Sequence, residues 1–332
     1  MTKMKKLLAS TMILAGLGLA GSASAHECGD ITIAAMNWQS AEVLAEVDKL
    51  ILSKGYDCKV EMVAGDTMPT FTSMNEKGKP DVATELWTNS LEAPLREAVA
   101  EGRLYRTVDV LSDGGEEGIW IPKYLAEANP DIKTVEDALK RPDLFPHPED
   151  KDKGAIIGCP AGWNCQLIMQ NLYKAYGMEE KGFGLVDPGS AAGLDGAIAK
   201  AYERKQGVMS YYWAPTSLLG KYEMVKLKAT VPHDQEHWEK CTGVADCDDP
   251  KVNDWRPSRV STVVTKNFMD TSAVALSYFS RRSINNNDLG KLLAWMTENQ
   301  ATGEEAAEEF LKTREDLWSK WVSKDIAEKL KK

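Results

Sequence analysis

The sequence predicts an α/β protein in two halves, each a mainly parallel sheet flanked by helices. Three observations carry this expectation. Short apolar runs alternate with segments of helical spacing, the alternation occurs twice, and 332 residues suffice for about two cores. Hydrophobic residues make up 43% and charged residues 27%, which suits a globular chain rather than a disordered tail or a multi-span membrane protein. With 50 Asp and Glu against 40 Lys and Arg, the net charge of −10 offers phosphate backbones no general field. Nucleic acid is not an expected partner.

Residues 31–36 read as a strand, 41–52 as a helix closed by Gly55, and 58–63 as a second strand. A short helix over 70–75 and a third strand over 81–86 follow. Gly114, Gly115 and Gly118 loosen the chain before an extended stretch at 119–121, which Pro122 stops. The second half repeats the pattern, with a helix at 133–139, a strand at 155–157 and a helix at 163–176 ended by Gly177. A helix at 193–204, a strand at 207–212 and a β-branched strand at 261–265 complete it. The tail from Thr271 is mostly helical and charged.

The first 25 residues read as an export leader. Lys3, Lys5 and Lys6 precede an apolar run over 7–20, which leads to Ser22-Ala23-Ser24-Ala25, an A-x-A cleavage pattern. The run is shorter than the roughly 20 residues of a membrane span. A mature chain from His26 in the periplasm is the expectation, and its charge, without three Lys, would be −13 rather than −10. All six cysteines, Cys28, Cys58, Cys159, Cys165, Cys241 and Cys247, lie in that exported part, where disulfides form. Spacing favours one of the fifteen connectivities. Cys159/Cys165 and Cys241/Cys247 each close a tight loop, and Cys28/Cys58 flank two strands that a parallel sheet would set side by side. Zinc is the competing use, but no C-x2-C element is present.

Ten Trp outnumber six Phe, although a buried indole N–H needs a partner. Trp38, Trp87 and Trp213 follow strands, and Trp163 stands at the mouth of a helix after one. Strand carboxyl ends are where open α/β sheets bind ligands. Four π-faces there would suit a desolvated cation, above all a quaternary ammonium. The plainer use of Trp as core filling fits Trp238, Trp255, Trp295, Trp318 and Trp321 better. In 158–166 a Gly/Pro turn enters a helix whose first N–H groups favour an anion. One segment thus offers both ends of a zwitterion a contact.

These residues resemble the periplasmic substrate-binding proteins of ABC importers for glycine betaine, proline betaine, choline and related osmolytes. The likeness spans most of the mature chain and is sharpest at 158–166 (GCPAGWNCQ), Glu85-Leu86-Trp87 and Tyr211-Tyr212-Trp213-Ala214-Pro215. It implies a two-lobed clamshell with lobe 1 from 26–118 and 262–332 and lobe 2 from 119–261. It also implies a monomeric, non-enzymatic receptor without cofactor that serves an inner-membrane ABC permease. The resemblance places an aromatic box on Trp87, Trp163 and Trp213, with Trp38 as a fourth wall, and a disulfide on Cys159–Cys165. Carboxylate contacts fall to the backbone N–H groups of Asn164 and Cys165. Met36-Asn37-Trp38, residues 65–70 and residues 187–190 look like the trimethylamine N-oxide binders of this family.

Two departures bear on the ligand. Choline-type relatives place an Asp where this chain has Ser40. By resemblance, the loop with Glu116 and Glu117 borders the cleft, where a carboxylate would repel betaine but suit a hydroxyl or a protonated N-oxide. The alternative for Glu117 is a solvated loop acid.

His233, Glu236 and His237 form an H-x-x-E-H pattern, so an exported zinc metallohydrolase is the rival function. Asp246, Asp248, Asp249 and Asn253 would suit Ca²⁺ by oxygen count, though without EF-hand spacing, and a solvated acidic loop is the preferred reading. No G-x-S-x-G and no Walker A motif starts another enzymatic reading.

Overall fold

The computed structural model describes residues 28–332, so the leader expected over 1–25 lies outside the described residues. The strands are β1 (Asp30–Met36), β2 (Lys59–Gly65), β3 (Val82–Trp87), β4 (Leu104–Asp109), β5 (Glu116–Pro122), β6 (Gly154–Ile157), β7 (Phe183–Val186), β8 (Ser210–Ala214), β9 (Met224–Leu227) and β10 (Val260–Thr265). They form two five-stranded sheets, ordered β2-β1-β3-β10-β4 and β7-β6-β8-β5-β9. All six residues of β3 and all six of β10 are buried, as central strands covered on both faces require.

In the first sheet β1 runs parallel between β2 and β3, and in the second β6 runs parallel between β7 and β8. Helical crossovers demand that direction. β10 is antiparallel to β3 and β4, and β5 is antiparallel to β8 and β9. Half the pairings are therefore antiparallel, and the sheets are mixed rather than mainly parallel. The reason lies in the chain's route. β5 and β10 are the strands on which the chain arrives from the other sheet, and no crossover helix sets their direction.

The pattern of apolar runs missed β4, β7 and β9, each of which lies at a sheet edge. Half-exposed edges carry no continuous apolar run, and β7 and β9 have only four residues.

The two crossings between sheets lie side by side. The Gly115 N–H donates to Ser258 O at 2.9 Å, and the Ser258 N–H donates to Gly115 O at 2.7 Å. This antiparallel bridge ties the two crossings together between the sheets. After β10 the chain stays with the first sheet. The helix Gly303–Thr313 packs on the helix Gln39–Leu50, with the Gly303 N–H on Glu42 Oε1 at 3.0 Å. Lys329 Nζ reaches Gly55 O at 3.1 Å.

All three expected disulfides form, with Cα separations of 4.9 Å for Cys28–Cys58, 5.8 Å for Cys159–Cys165 and 5.0 Å for Cys241–Cys247. Cys28 and Cys58 meet because Asp30 and Lys59 are register partners in parallel β1 and β2. Among the described residues, no helix is long and apolar enough to cross a membrane.

Candidate functional site

The four strand-end indoles converge. Trp38 caps the helix after β1, Trp87 ends β3, Trp163 caps the helix Asn164–Ala175 after β6, and Trp213 lies near the end of β8. Together with Thr67, Asn164 and Tyr211 they line one small, tightly closed cavity between the sheets. Trp163 is the common neighbour, with ring centroids 5.2 Å from Trp38 and 5.1 Å from Trp213. The interplanar angles of 70° and 81° are those of adjacent walls in a box. Tyr211 stacks on Trp213 at 6.3 Å and 22°, because residues two apart on a strand share a face.

Two walls are fixed from behind. The indole N–H groups of Trp38 and Trp87 both donate to Glu85 Oε1, at 2.7 and 2.9 Å, and the Ser40 hydroxyl donates to the same oxygen at 2.9 Å. An indole whose N–H is engaged on the far side leaves its π surface for the cavity. The benzo edge of Trp87 rests on the backbone at Gly115. A Cβ there would fall within 2.2–2.3 Å of two ring carbons, so any side chain at 115 displaces this wall.

Polar links join the two sides of the cavity. Trp163 Nε1 donates to Asn37 Oδ1 at 2.7 Å, Asn164 Nδ2 to Trp87 O at 3.2 Å, and the Met68 N–H to Gly162 O at 3.0 Å. Gly162 has φ +86°, and a Cβ would meet the Asp66 carboxyl at 3.1 Å, so both conformation and space require glycine there. The Cys159–Cys165 bridge braces this turn. Among the described residues, no acceptor takes the backbone N–H of Asn164 or Cys165, the first two of their helix.

The family profile described as "Substrate binding domain of ABC-type glycine betaine transport system" (OpuAC) matches residues 29–313. The chain belongs to the OpuAC family. The trimethylamine N-oxide-binding protein of Pelagibacter ubique (strain HTCC1062) is 24% identical over 328 residues, covering 95% of this chain and 99% of its own length. Two solved structures share the fold. Lactococcal OpuAC, in its closed-liganded conformation with glycine betaine, gives a TM-score of 0.66 at 17% identity over 89% of this chain and 100% of its own. An ABC-transporter choline binding protein in complex with choline gives 0.69 at 17% over 92% and 97%. The likeness is one of fold, and the two sheets of this OpuAC chain are the cores of its two lobes.

Within this OpuAC chain, Glu117 is not a solvated loop acid. It lies in β5 opposite Trp213, is 1% exposed, and does not reach the cavity wall. Its Oε1 accepts from Tyr211 OH at 2.9 Å and its Oε2 from Asn89 Nδ2 at 2.7 Å, which sets it behind Tyr211. Burial lifts its carboxyl to about 7 against the pull of Tyr211, Asn89, Ser258 and Lys226. The unfolded chain releases this proton near 4.5. The folded state therefore holds it longer, and the Glu117 contribution to stability falls as pH rises from about 4.5 to about 7. Glu117→Gln mimics the protonated form and should flatten that part of the melting-temperature profile, by at most about 1.4 kcal/mol per pH unit. An unchanged slope between pH 4.5 and 7 would contradict it.

The metallohydrolase residues are not assembled. His233 contacts Asp254 O at 2.7 Å and Gln235 Oε1 at 3.1 Å, His237 Nε2 accepts the Lys251 N–H at 3.1 Å, and Glu236 pairs with Lys240 at 2.6 Å. The local helix has three residues, too few to set both histidines on one face. The Ca²⁺ candidate fares similarly. The amide of Asn253 exchanges two hydrogen bonds of 2.9 Å with the Asp234 backbone, and Asp249 pairs with Lys251 at 3.6 Å. Among the described residues, no group of three or more His, Cys, Asp or Glu could hold a metal ion.

Sequence reasoning missed three site residues. Tyr211 could have been found from the Tyr-x-Trp alternation of β8. Thr67 was noticed only as part of the segment 65–70, with no role of its own. Glu85 was noticed only as part of a motif, since its task depends on where two distant indoles point.

Proposed function

We propose that the chain is a periplasmic receptor that captures a trimethylammonium-type osmolyte and delivers it to an ABC permease. Trimethylamine N-oxide, glycine betaine and choline are the solutes it would take. The observation that carries this is the aromatic cavity built from both sheets, with the Trp38 and Trp87 N–H groups turned away onto Glu85. A methylated onium head cannot hydrogen-bond, so aromatic faces are what can replace its hydration. Each contributes about 0.5–2 kcal/mol, and three or four approach the roughly 8 kcal/mol of a micromolar site. Trp38, Trp87, Trp163 and Trp213 would hold the head, and the free N–H groups of Asn164 and Cys165 would receive the oxygen end. Glu117 would act through Tyr211 rather than on the solute.

Because the walls come from both lobes, the box is complete only when they close. The solute then shifts an open–closed equilibrium about the Gly115–Ser258 hinge by its differential affinity. The relative named for trimethylamine N-oxide supports the solute class, and the leader pattern supports export. Titration calorimetry of the mature chain tests the function, with saturable binding of at least one of the three solutes and no turnover expected. No response to any of them, or consumption of one, would reject it.

A further inference from the structure

Glu85 lies outside the cavity lining yet governs two of its sides. One oxygen receives all three donors, from Trp38, Trp87 and Ser40. The other, Oε2, is buried without a partner among the described residues, and the side chain has no exposed surface. A neutral amide oxygen would hold the same two rings at a smaller desolvation cost, so a carboxylate here needs a positive charge to answer it. Arg282 answers it only at a distance: its Nη2 is bound to Asp48 at 2.6 Å, its Nε and Nη1 lack partners among the described residues, and none of its nitrogens hydrogen-bonds Glu85. Burial raises the Glu85 carboxyl more than the three donors and Arg282 lower it. Two other buried oxygens near the cavity also lack donors. Asp66 Oδ1 sits beside Thr67, and Asn89 Oδ1 belongs to the residue that holds Glu117 behind Tyr211. Orphan donors occur too, on Trp255 Nε1 and on Arg282, but none of them reaches these three acceptors.

We propose that Glu85 is the specificity-determining counter-charge of the cavity, selecting an onium head over an uncharged group of the same shape. It would act through the rings. A carboxylate that accepts an indole N–H makes a charge-assisted bond in the ring plane and enriches the whole π system, so a cation over the face that borders the cavity is held more strongly. The low local dielectric keeps that charge effective across the ring. This deepens the function proposed above and rests on it.

The test pairs each solute with its carbon isostere, trimethylamine N-oxide with tert-butanol and glycine betaine with 3,3-dimethylbutanoate. Affinities are read by calorimetry or by competition on the full mature chain. Glu85→Gln keeps an acceptor for the rings and removes the charge. Binding of the onium solute should fall about tenfold while its isostere changes less than about threefold, so discrimination collapses. Glu85→Asp keeps a charge but retreats from the indole N–H groups, so the charge-assisted bonds through which it acts weaken and discrimination should fall by about threefold or more. Equal weakening of both members of a pair by either variant would overturn the proposal. The second variant decides alone if the first does not fold. A wild-type chain that binds no onium solute would overturn the proposed function itself, and this inference with it.

Discussion

In Trp163→Ala, affinity for trimethylamine N-oxide or glycine betaine falls by about tenfold or more, the scale of one desolvated cation–π contact. Trp163 is the wall with the most to lose. Its ring meets Trp38 and Trp213 nearly at right angles, and its N–H is bonded to Asn37 on the opposite lobe. Truncation removes a π-face, frees the rings on either side, and deletes a link that favours closure. Trp163→Phe separates these effects. It keeps an aromatic face but leaves Asn37 without its donor, so an intermediate loss is expected. Calorimetry gives the affinities, and a thermal melt shows that each variant is folded. Wild-type affinity in the alanine variant would remove Trp163 from the site.

How far the sequence foretold this site follows from what kind of order each residue depends on. Trp38, Trp87 and Trp213 were legible because a strand-to-helix alternation is periodic, and strand ends can be counted along the chain. Trp163 was legible from the Gly/Pro turn before it. The first and second sheets were legible at their parallel cores for the same reason. Edge strands such as β9, with only Leu227 fully buried, leave little trace in hydrophobicity. The reversed direction of β5 and β10 was hidden because it depends on how the chain travels between lobes. Glu85 and Gly115 were hidden more deeply. Each matters through contact with an indole that is remote in sequence or in a different element, and no local pattern encodes such a meeting.

The same logic makes the largest stability effect fall on a residue with no part in the cavity. Asp48 and Arg282 are fully buried and paired at 2.6 Å. Tyr278 OH donates to Asp48 Oδ1 at 2.6 Å, and Thr84 Oγ1 to Oδ2 at 2.9 Å. The cluster thereby joins the helix Gln39–Leu50, the strand β3 that carries Glu85 and Trp87, and the segment after the helix Ala273–Phe279. Burial holds the Asp48 carboxyl above its ordinary range despite Arg282 beside it, so desolvation outweighs the attraction of the pair. Such a pair adds little net stability while intact, but it cannot be halved. Arg282→Met leaves Asp48 buried without its cation and should cost about 3–5 kcal/mol, lowering the melting temperature on the order of 10 °C. Asp48→Leu combined with Arg282→Met removes both charges and should recover most of that loss, since neither ion is then left uncompensated. Thermal melts of the single and double variants decide the matter. A single variant that melts within about 2 °C of wild type, or a double variant no better than the single, would show that an uncompensated buried Asp48 is not what the substitution costs.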